Sequence, residues 1–370
     1  MVNGEKIIND RISYIDGLRG FAILEVIFFH SFSRWGNVEP YTQEPFLVNL
    51  FINGWLGVQL FFAVSGYVIY MTVLRCENFF MFAISRYLRL APAMLVAALL
   101  LYSTSFFIPE RPLGPPDLID FLPSITFIDP GLLSKLTGLE VRSLDGAFWS
   151  LYVEVKFYAI VAIAYFILKD KNLTFLVTLY TMWCCLTLAQ VFEIESNLLI
   201  TLLKALNYAG VEFYGWFLLG IFAYKYKCKV STLNSSMLLV VTAAAIGTTK
   251  LGDVAVTIGA GITALLFLLP LVLMPVRILL TNRLFLFLGY VSYPLYLIHQ
   301  NLVTGLAIKL HTICPALPPF LYPLPFLLSV IAISYLIAKI EPTLKQKIEC
   351  LVPPTVLGYR LLKVRSDKRP

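Results

Sequence analysis

Residues 14–33 read YIDGLRGFAILEVIFFHSFS, and the reading of this stretch decides the fold. Twenty mostly apolar residues are enough for a helix to cross the hydrocarbon core of a bilayer. Four ionisable residues, Asp16, Arg19, Glu25 and His30, interrupt the run. Charges at membrane depth are costly, so such residues mark functional positions by default. Arg19 and His30 stand 11 residues apart. That is about three helical turns, so both project from nearly one face with roughly 16 Å between them along the axis. Asp16 precedes Arg19 by three residues, close enough to pair with the guanidinium, whereas Glu25 points to the opposite side of the helix.

The rest of the chain extends the same pattern. Of its 370 residues 59% are hydrophobic and only 14% charged, with a mean hydropathy of +0.80, which excludes an ordinary soluble domain. Apolar runs near 14–33, 49–74, 80–102, 147–168, 173–191, 208–225, 235–250, 254–275, 284–309 and 318–340 predict an all-α, polytopic membrane bundle of about ten transmembrane helices. The short run 198–203 and the thin segment at 235–250 are the weakest points of that count. The first run carries charges and is followed by Arg34-Trp35-Gly36 instead of a small-residue cleavage site, so it is expected to remain as a span. The six cysteines show no metal-ligand spacing and are expected to be packing residues without disulfides.

Lysine and arginine fix the expected orientation. With ten spans and both termini cytoplasmic, 20 basic residues fall inside and seven outside, as the positive-inside rule requires. This distribution, over short connections, accounts for the net charge of +7 by topology and speaks against nucleic acid as a partner. The longest outer connection, 103–145, holds six prolines and six acidic residues, and its proline content argues against a further helix. A membrane domain over 1–345 and a short basic cytoplasmic tail over 346–370 complete the expected organisation. No internal repeat is evident.

Further ionisable residues lie inside or beside the runs. Arg86 and Arg89, in SRYLRLAP, stand at helical spacing at the expected inner face. They read equally as topology anchors that snorkel to lipid head groups or as a clamp for the phosphates of an anionic ligand arriving from the cytoplasm. In GAFWSLYVEVKFY, Glu154 is favoured as a functional carboxylate that orients or stabilises the His30 imidazole. Lys156 is as well explained by snorkelling outward. In YVSYPLYLIHQN, Pro294 marks a kink, and His299 is more readily a hydrogen-bonding partner of a neighbouring helix than a catalyst. Ser65, in FFAVSGYVIY, reads as small-residue helix packing next to Gly66, because a nucleophilic serine needs a base beside it. His311 lies in an outer loop and has no special role.

Taken in order, YIDGLRG through His30, FFAVSGYVI, the Arg86 and Arg89 pair, FWSLYVE and SYPLYLIH resemble the acyltransferase 3 family of integral membrane acyltransferases over nearly the whole chain. The resemblance implies an enzyme of the bacterial inner membrane. Such an enzyme moves an acyl group, most often acetyl, from acyl-CoA to a hydroxyl of a cell-envelope sugar such as O-antigen, exopolysaccharide or a lipid-linked glycan. It implies no permanently bound cofactor, acetyl-CoA or another acyl-CoA as donor substrate, and functional roles for Arg19 with His30 and for Arg86 with Arg89. Two departures stand out. Val155 and Lys156 occupy positions where the family often has a second acid and a glutamine, and the extracytoplasmic hydrolase-like domain fused to some relatives is missing from this sequence.

The resulting expectation is a corridor between Arg19 and His30. Asp16, Arg19, Arg86 and Arg89 would hold the donor, while His30, with Glu154, would deprotonate the acceptor. A proton-coupled transporter or flippase of a glycan precursor also needs buried Asp, Arg, Glu and His. The missing repeat and the lack of paired broken helices count against it. A partner subunit of a glycan assembly machine would leave the Arg19 to His30 stripe unexplained.

Overall fold

The computed structural model describes residues 2–36, 45–194 and 196–351, so most of the basic tail expected at 346–370 lies outside the described residues. The first half contains α1 (Val2–Phe28), α2 (Pro45–Phe51), α3 (Leu56–Val73), α4 (Phe79–Ser105), α5 (Leu122–Thr126), α6 (Pro130–Thr137) and α7 (Trp149–Leu168). The second half contains α8 (Asn172–Val191), α9 (Asn197–Tyr208), α10 (Tyr214–Cys228), α11 (Thr232–Thr248), α12 (Val254–Val272), α13 (Met274–Leu280), α14 (Arg283–Ile313) and α15 (Leu324–Leu351). Short 3-10 turns join several of them, and there is no strand among the described residues. The protein is an all-helical, multi-pass membrane bundle.

Each of the ten apolar runs falls on a helix, but the expected count of ten crossings is not reached by length and apolarity alone. Five segments qualify: Pro45–Val73, Phe79–Ser105, Gly146–Val191, Val254–Val272 and Pro319–Cys350. A sixth is added if α13 and α14, bent by 62° at their junction, form one broken span. The shortfall has physical causes. The α1 run carries four ionisable residues, α10 and α11 have only 15 and 17 residues, and Gly146–Val191 contains both α7 and α8. The doubtful run at 198–203 is a separate 12-residue helix, α9.

Glycine sets the closest helix contacts. A Cβ at Gly17 would strike the Leu280 carbonyl, one at Gly20 the Phe285 carbonyl, and one at Gly289 the Asp16 carbonyl. These three positions therefore let α1 lie directly on the α13–α14 junction and the start of α14. Gly66 against Phe217 and Gly220 against Ala63 do the same where α3 crosses α10. In a bilayer, where lipid tails are as apolar as leucine, such close backbone approach is a main source of helix association. Phe157 stacks on Phe217 at 3.9 Å and extends this crossing to α7.

The connection 103–145 departs from its expected lack of helix. It forms a 3-10 turn (Leu118–Phe121) and the short helices α5 and α6. Proline does not prevent this, because Pro123 and Pro130 sit in first turns, where the missing N–H has no partner to lose. The segment folds back along α4. Phe121 meets Tyr102 at 4.9 Å, Phe127 meets Tyr87 at 5.8 Å, and the Tyr87 hydroxyl donates to the Ile125 carbonyl. Those two tyrosines stand 15 residues apart, roughly 22 Å along the helix.

The far end of the connection is pinned to the middle of α14. The Asn301 side chain donates to the Leu144 carbonyl at 2.8 Å, and its backbone N–H donates to Asp145 Oδ2 at 3.1 Å. The Tyr296 hydroxyl lies 2.8 Å from the Ala147 carbonyl and 2.7 Å from the Ser150 hydroxyl. Burial pushes the Asp145 carboxyl up to about 7, against the opposing pull of the Ala147 and Asn301 N–H groups and of Arg111.

Candidate active site

Four of the five longest-separated motifs meet in one place. Arg19 from α1, Ser65 from α3, Arg86 and Arg89 from α4, Glu154 and Tyr158 from α7, and Tyr293 and Tyr296 from α14 line a cavity of about 140 Å³. Two of the three guanidiniums are held from behind. Arg19 lies 3.8 Å from Asp16, one helical turn back, and Arg89 makes a 2.9 Å ion pair with Glu341 of α15 and stacks over the Tyr293 ring at 5.4 Å. The Arg86 Nε is buried and has no hydrogen-bond partner among the described residues. Glu154 accepts a short hydrogen bond from the Ser65 hydroxyl. The wall thus presents guanidinium donors in excess of the acceptors that satisfy them, a surface suited to a phosphate or carboxylate.

His30 is built differently. It sits in a five-residue π-helical turn, Phe29–Ser33, that ends the first span, a distortion found often at functional sites. Its Nδ1 is 2.9 Å from the Val26 carbonyl and 3.2 Å from His299 Nε2. The His299 Nδ1 is in turn 2.9 Å from the Tyr296 carbonyl. A carbonyl oxygen only accepts, so both Nδ1 atoms carry the hydrogen in the neutral rings. His299 Nε2 is then the acceptor facing His30, and the lone pair on His30 lies on Nε2. The pair delivers one imidazole in a fixed tautomer with its basic nitrogen free.

The open corridor expected between Arg19 and His30 is absent from this conformation. Both residues turn toward α14, but only Arg19 reaches the cavity. Phe61 and Tyr296, whose rings are 6.0 Å apart, form the cavity wall on the imidazole side, and the Tyr296 ring lies 5.7 Å from that of His299. An aromatic partition therefore separates the guanidiniums from the histidines. The expected support of His30 by Glu154 is also corrected. The carboxylate is held by Ser65 inside the arginine cavity, and the group touching the imidazole is His299.

Other residues fall outside the site. Lys156 donates to Asp129 at 3.3 Å and to the Tyr208 carbonyl at 2.9 Å, tying α7 to the 103–145 connection. Glu25 lies on the α3 side of α1, its Cβ close to Gly57, and has no place in the cavity. His311 bonds Tyr322. Among the described residues no group of three or more His, Cys, Asp or Glu could hold a metal ion.

Several functional residues escaped the sequence reading. Ser65 was assigned to packing, yet Gly66 does the packing and Ser65 carries the hydrogen bond to Glu154. Glu341, the partner of Arg89, gave no signal because 252 residues separate the two. Tyr293, Tyr296 and His299 share one face at spacings of three and did offer one.

A family model described as an acyltransferase domain, Acyl_transf_3, matches residues 12–339, a span that contains every residue of this site except Glu341. No curated protein and no solved structure matches the chain. The helical bundle and the family match together define a multi-pass membrane acyltransferase. The chain belongs to the acyltransferase 3 family.

Proposed function

We propose that this enzyme is an O-acyltransferase that moves an acyl group, acetyl in the first instance, from acyl-CoA to a hydroxyl of a cell-envelope sugar such as O-antigen or exopolysaccharide. The observation that carries the reading is the meeting of Arg19, Arg86 and Arg89 in one cavity, one aromatic layer from an imidazole of fixed tautomer. In this reading the arginines bind the phosphates of the donor from the cytoplasmic side, and the thioester arm extends along α1 toward His30. The distance is roughly 16 Å, and the arm passes Phe61 and Tyr296, whose rings must turn aside.

At His30, Nε2 takes the proton of the sugar hydroxyl as its oxygen attacks the thioester carbonyl. The carbon–sulfur bond then breaks, the ester forms, and the imidazolium returns its proton to the departing thiolate. His299 keeps the His30 lone pair on Nε2, and Glu154 with Ser65 holds the anionic side of the arginine cavity. The protein would sit in the bacterial inner membrane with both termini cytoplasmic, as the distribution of lysine and arginine supports.

Purified protein in detergent, given labelled acetyl-CoA and a glycan acceptor, is expected to yield an acylated glycan. A transporter would yield no product there and would require a sealed vesicle. The absence of product with active-site residues intact, across acceptors and acyl chains, would overturn the reading.

A further inference from the structure

Behind the arginine cavity lies a second and larger space. A groove of about 370 Å³ runs between the first turns of α4 and the middle of α7, with walls that include Phe79, Phe82, Phe127, Val155 and Ala159. Almost all of its lining is apolar. The exceptions at its back are Arg86 and Tyr158, and both also line the arginine cavity. Arg86 is thus shared by a polar chamber and a hydrocarbon-like slot, and its buried Nε is unpartnered among the described residues. The Ala159 side of the groove is exposed, on the flank of a helix that belongs to a membrane-spanning segment.

An apolar slot open to lipid, with a guanidinium at its inner end, is complementary to a molecule that joins a hydrocarbon chain to a phosphate. A soluble donor supplies phosphates but no chain for the slot. A sugar in free solution supplies neither. We propose that this groove holds the chain of a single-chain lipid phosphate, of the isoprenoid type on which envelope sugars are carried, with its phosphate on Arg86. The acceptor then reaches the enzyme laterally from the bilayer. The identity of the sugar-bearing head rests on the acyltransferase reading above, whereas the lipid site itself does not.

Phe127 gives the 103–145 connection a role in this site. Its packing on Tyr87 places the turn after α5 along the groove wall, so the segment that folds back along α4 narrows the slot to the width of one chain.

The test uses the full-length protein in detergent and a photoreactive single-chain isoprenyl phosphate. Cross-links are expected on the α4 and α7 segments that line the groove. Ala159→Trp, which fills the slot from the lipid side, should weaken capture at least roughly tenfold while leaving acetyl-CoA binding unchanged. Arg86→Gln should abolish the preference for the isoprenyl phosphate over the corresponding alcohol. Equal competition by a diacyl phospholipid, preferential displacement by a long-chain acyl-CoA, or capture unaffected by Ala159→Trp would each overturn the assignment. Because capture is read without turnover, a protein that binds the lipid but transfers no acyl group would refute the proposed reaction and leave the lipid site standing.

Discussion

The Nε2 of His299 lies 3.2 Å from the Nδ1 of His30, and the two rings meet nearly edge to face, with centroids 4.9 Å apart. His299 is fully enclosed in α14 and makes no contact with the arginine cavity, so its effect on catalysis is exerted through His30. His299→Phe keeps a ring in place but removes the acceptor. Turnover should fall at least tenfold and its pH profile should shift, while the KM for acyl-CoA stays constant. A purely structural role would instead lower stability and leave the profile where it was. His30→Ala should cost about 10² to 10⁴ in rate in a folded protein, as expected for loss of a positioned base.

Arg86→Ala combined with Arg89→Ala should act on the donor. Hydrogen bonds to charged groups contribute about 1.5–3 kcal/mol each, so acetyl-CoA should bind at least tenfold more weakly. Isothermal titration with a non-hydrolysable acetyl-CoA analogue measures this directly. Unchanged affinity would remove the phosphate clamp from the mechanism.

Tyr296 stands between the donor cavity and the histidines. Tyr296→Ala opens the partition but also removes the hydroxyl that bonds Ala147 and Ser150. Tyr296→Phe retains the wall and loses only those bonds. If the ring obstructs the thioester arm, the alanine variant should bind donor well and transfer it loosely, with increased hydrolysis of acetyl-CoA in the absence of acceptor. The phenylalanine variant should keep transfer and hydrolysis coupled.

Asp145 gives a pH signature. Its carboxyl is held up to about 7 in the folded protein against an ordinary value of 3.8. The folded state therefore binds the extra proton between those values, so the contribution of Asp145 to stability is full below about 3.8 and is lost as the pH rises toward 7. Thermal midpoints in detergent across this range should show that decline, and Asp145→Asn should flatten it.

Gly20→Val tests the α1–α14 contact. A side chain there meets the Phe285 carbonyl, and overpacking costs about 1–3 kcal/mol or more. A lower melting temperature is expected, with loss of the His30–His299 contact as a secondary effect.

The helices of this fold were legible in the sequence because hydrocarbon leaves its mark as long apolar runs, and each run became a helix. Arg19, Arg86, Arg89 and Glu154 were legible for the opposite reason: charge in such runs is conspicuous, and they do meet. The partition by Phe61 and Tyr296 was not legible, since aromatic residues are common throughout the apolar runs and nothing local marks which of them face inward. The short helices in 103–145 were missed because proline was read as a breaker, although Pro123 and Pro130 open helices. The pairing of Arg89 with Glu341 and of His30 with His299 depends on contacts across the whole chain, which no local spacing encodes.

The turn that carries His30 closes its hydrogen bonds one residue further along than an α-helix does, as the bond from the Arg34 N–H to the Phe29 carbonyl shows. A single surplus residue is therefore absorbed there without unwinding the rod below it. The phase of everything after Ser33 is uncoupled by about 100° from that of Arg19. The chain leaving the bilayer toward α2 can be re-aimed, and the acceptor approach reshaped, while the donor chamber keeps its geometry: the two ends of the reaction path are free to diversify separately.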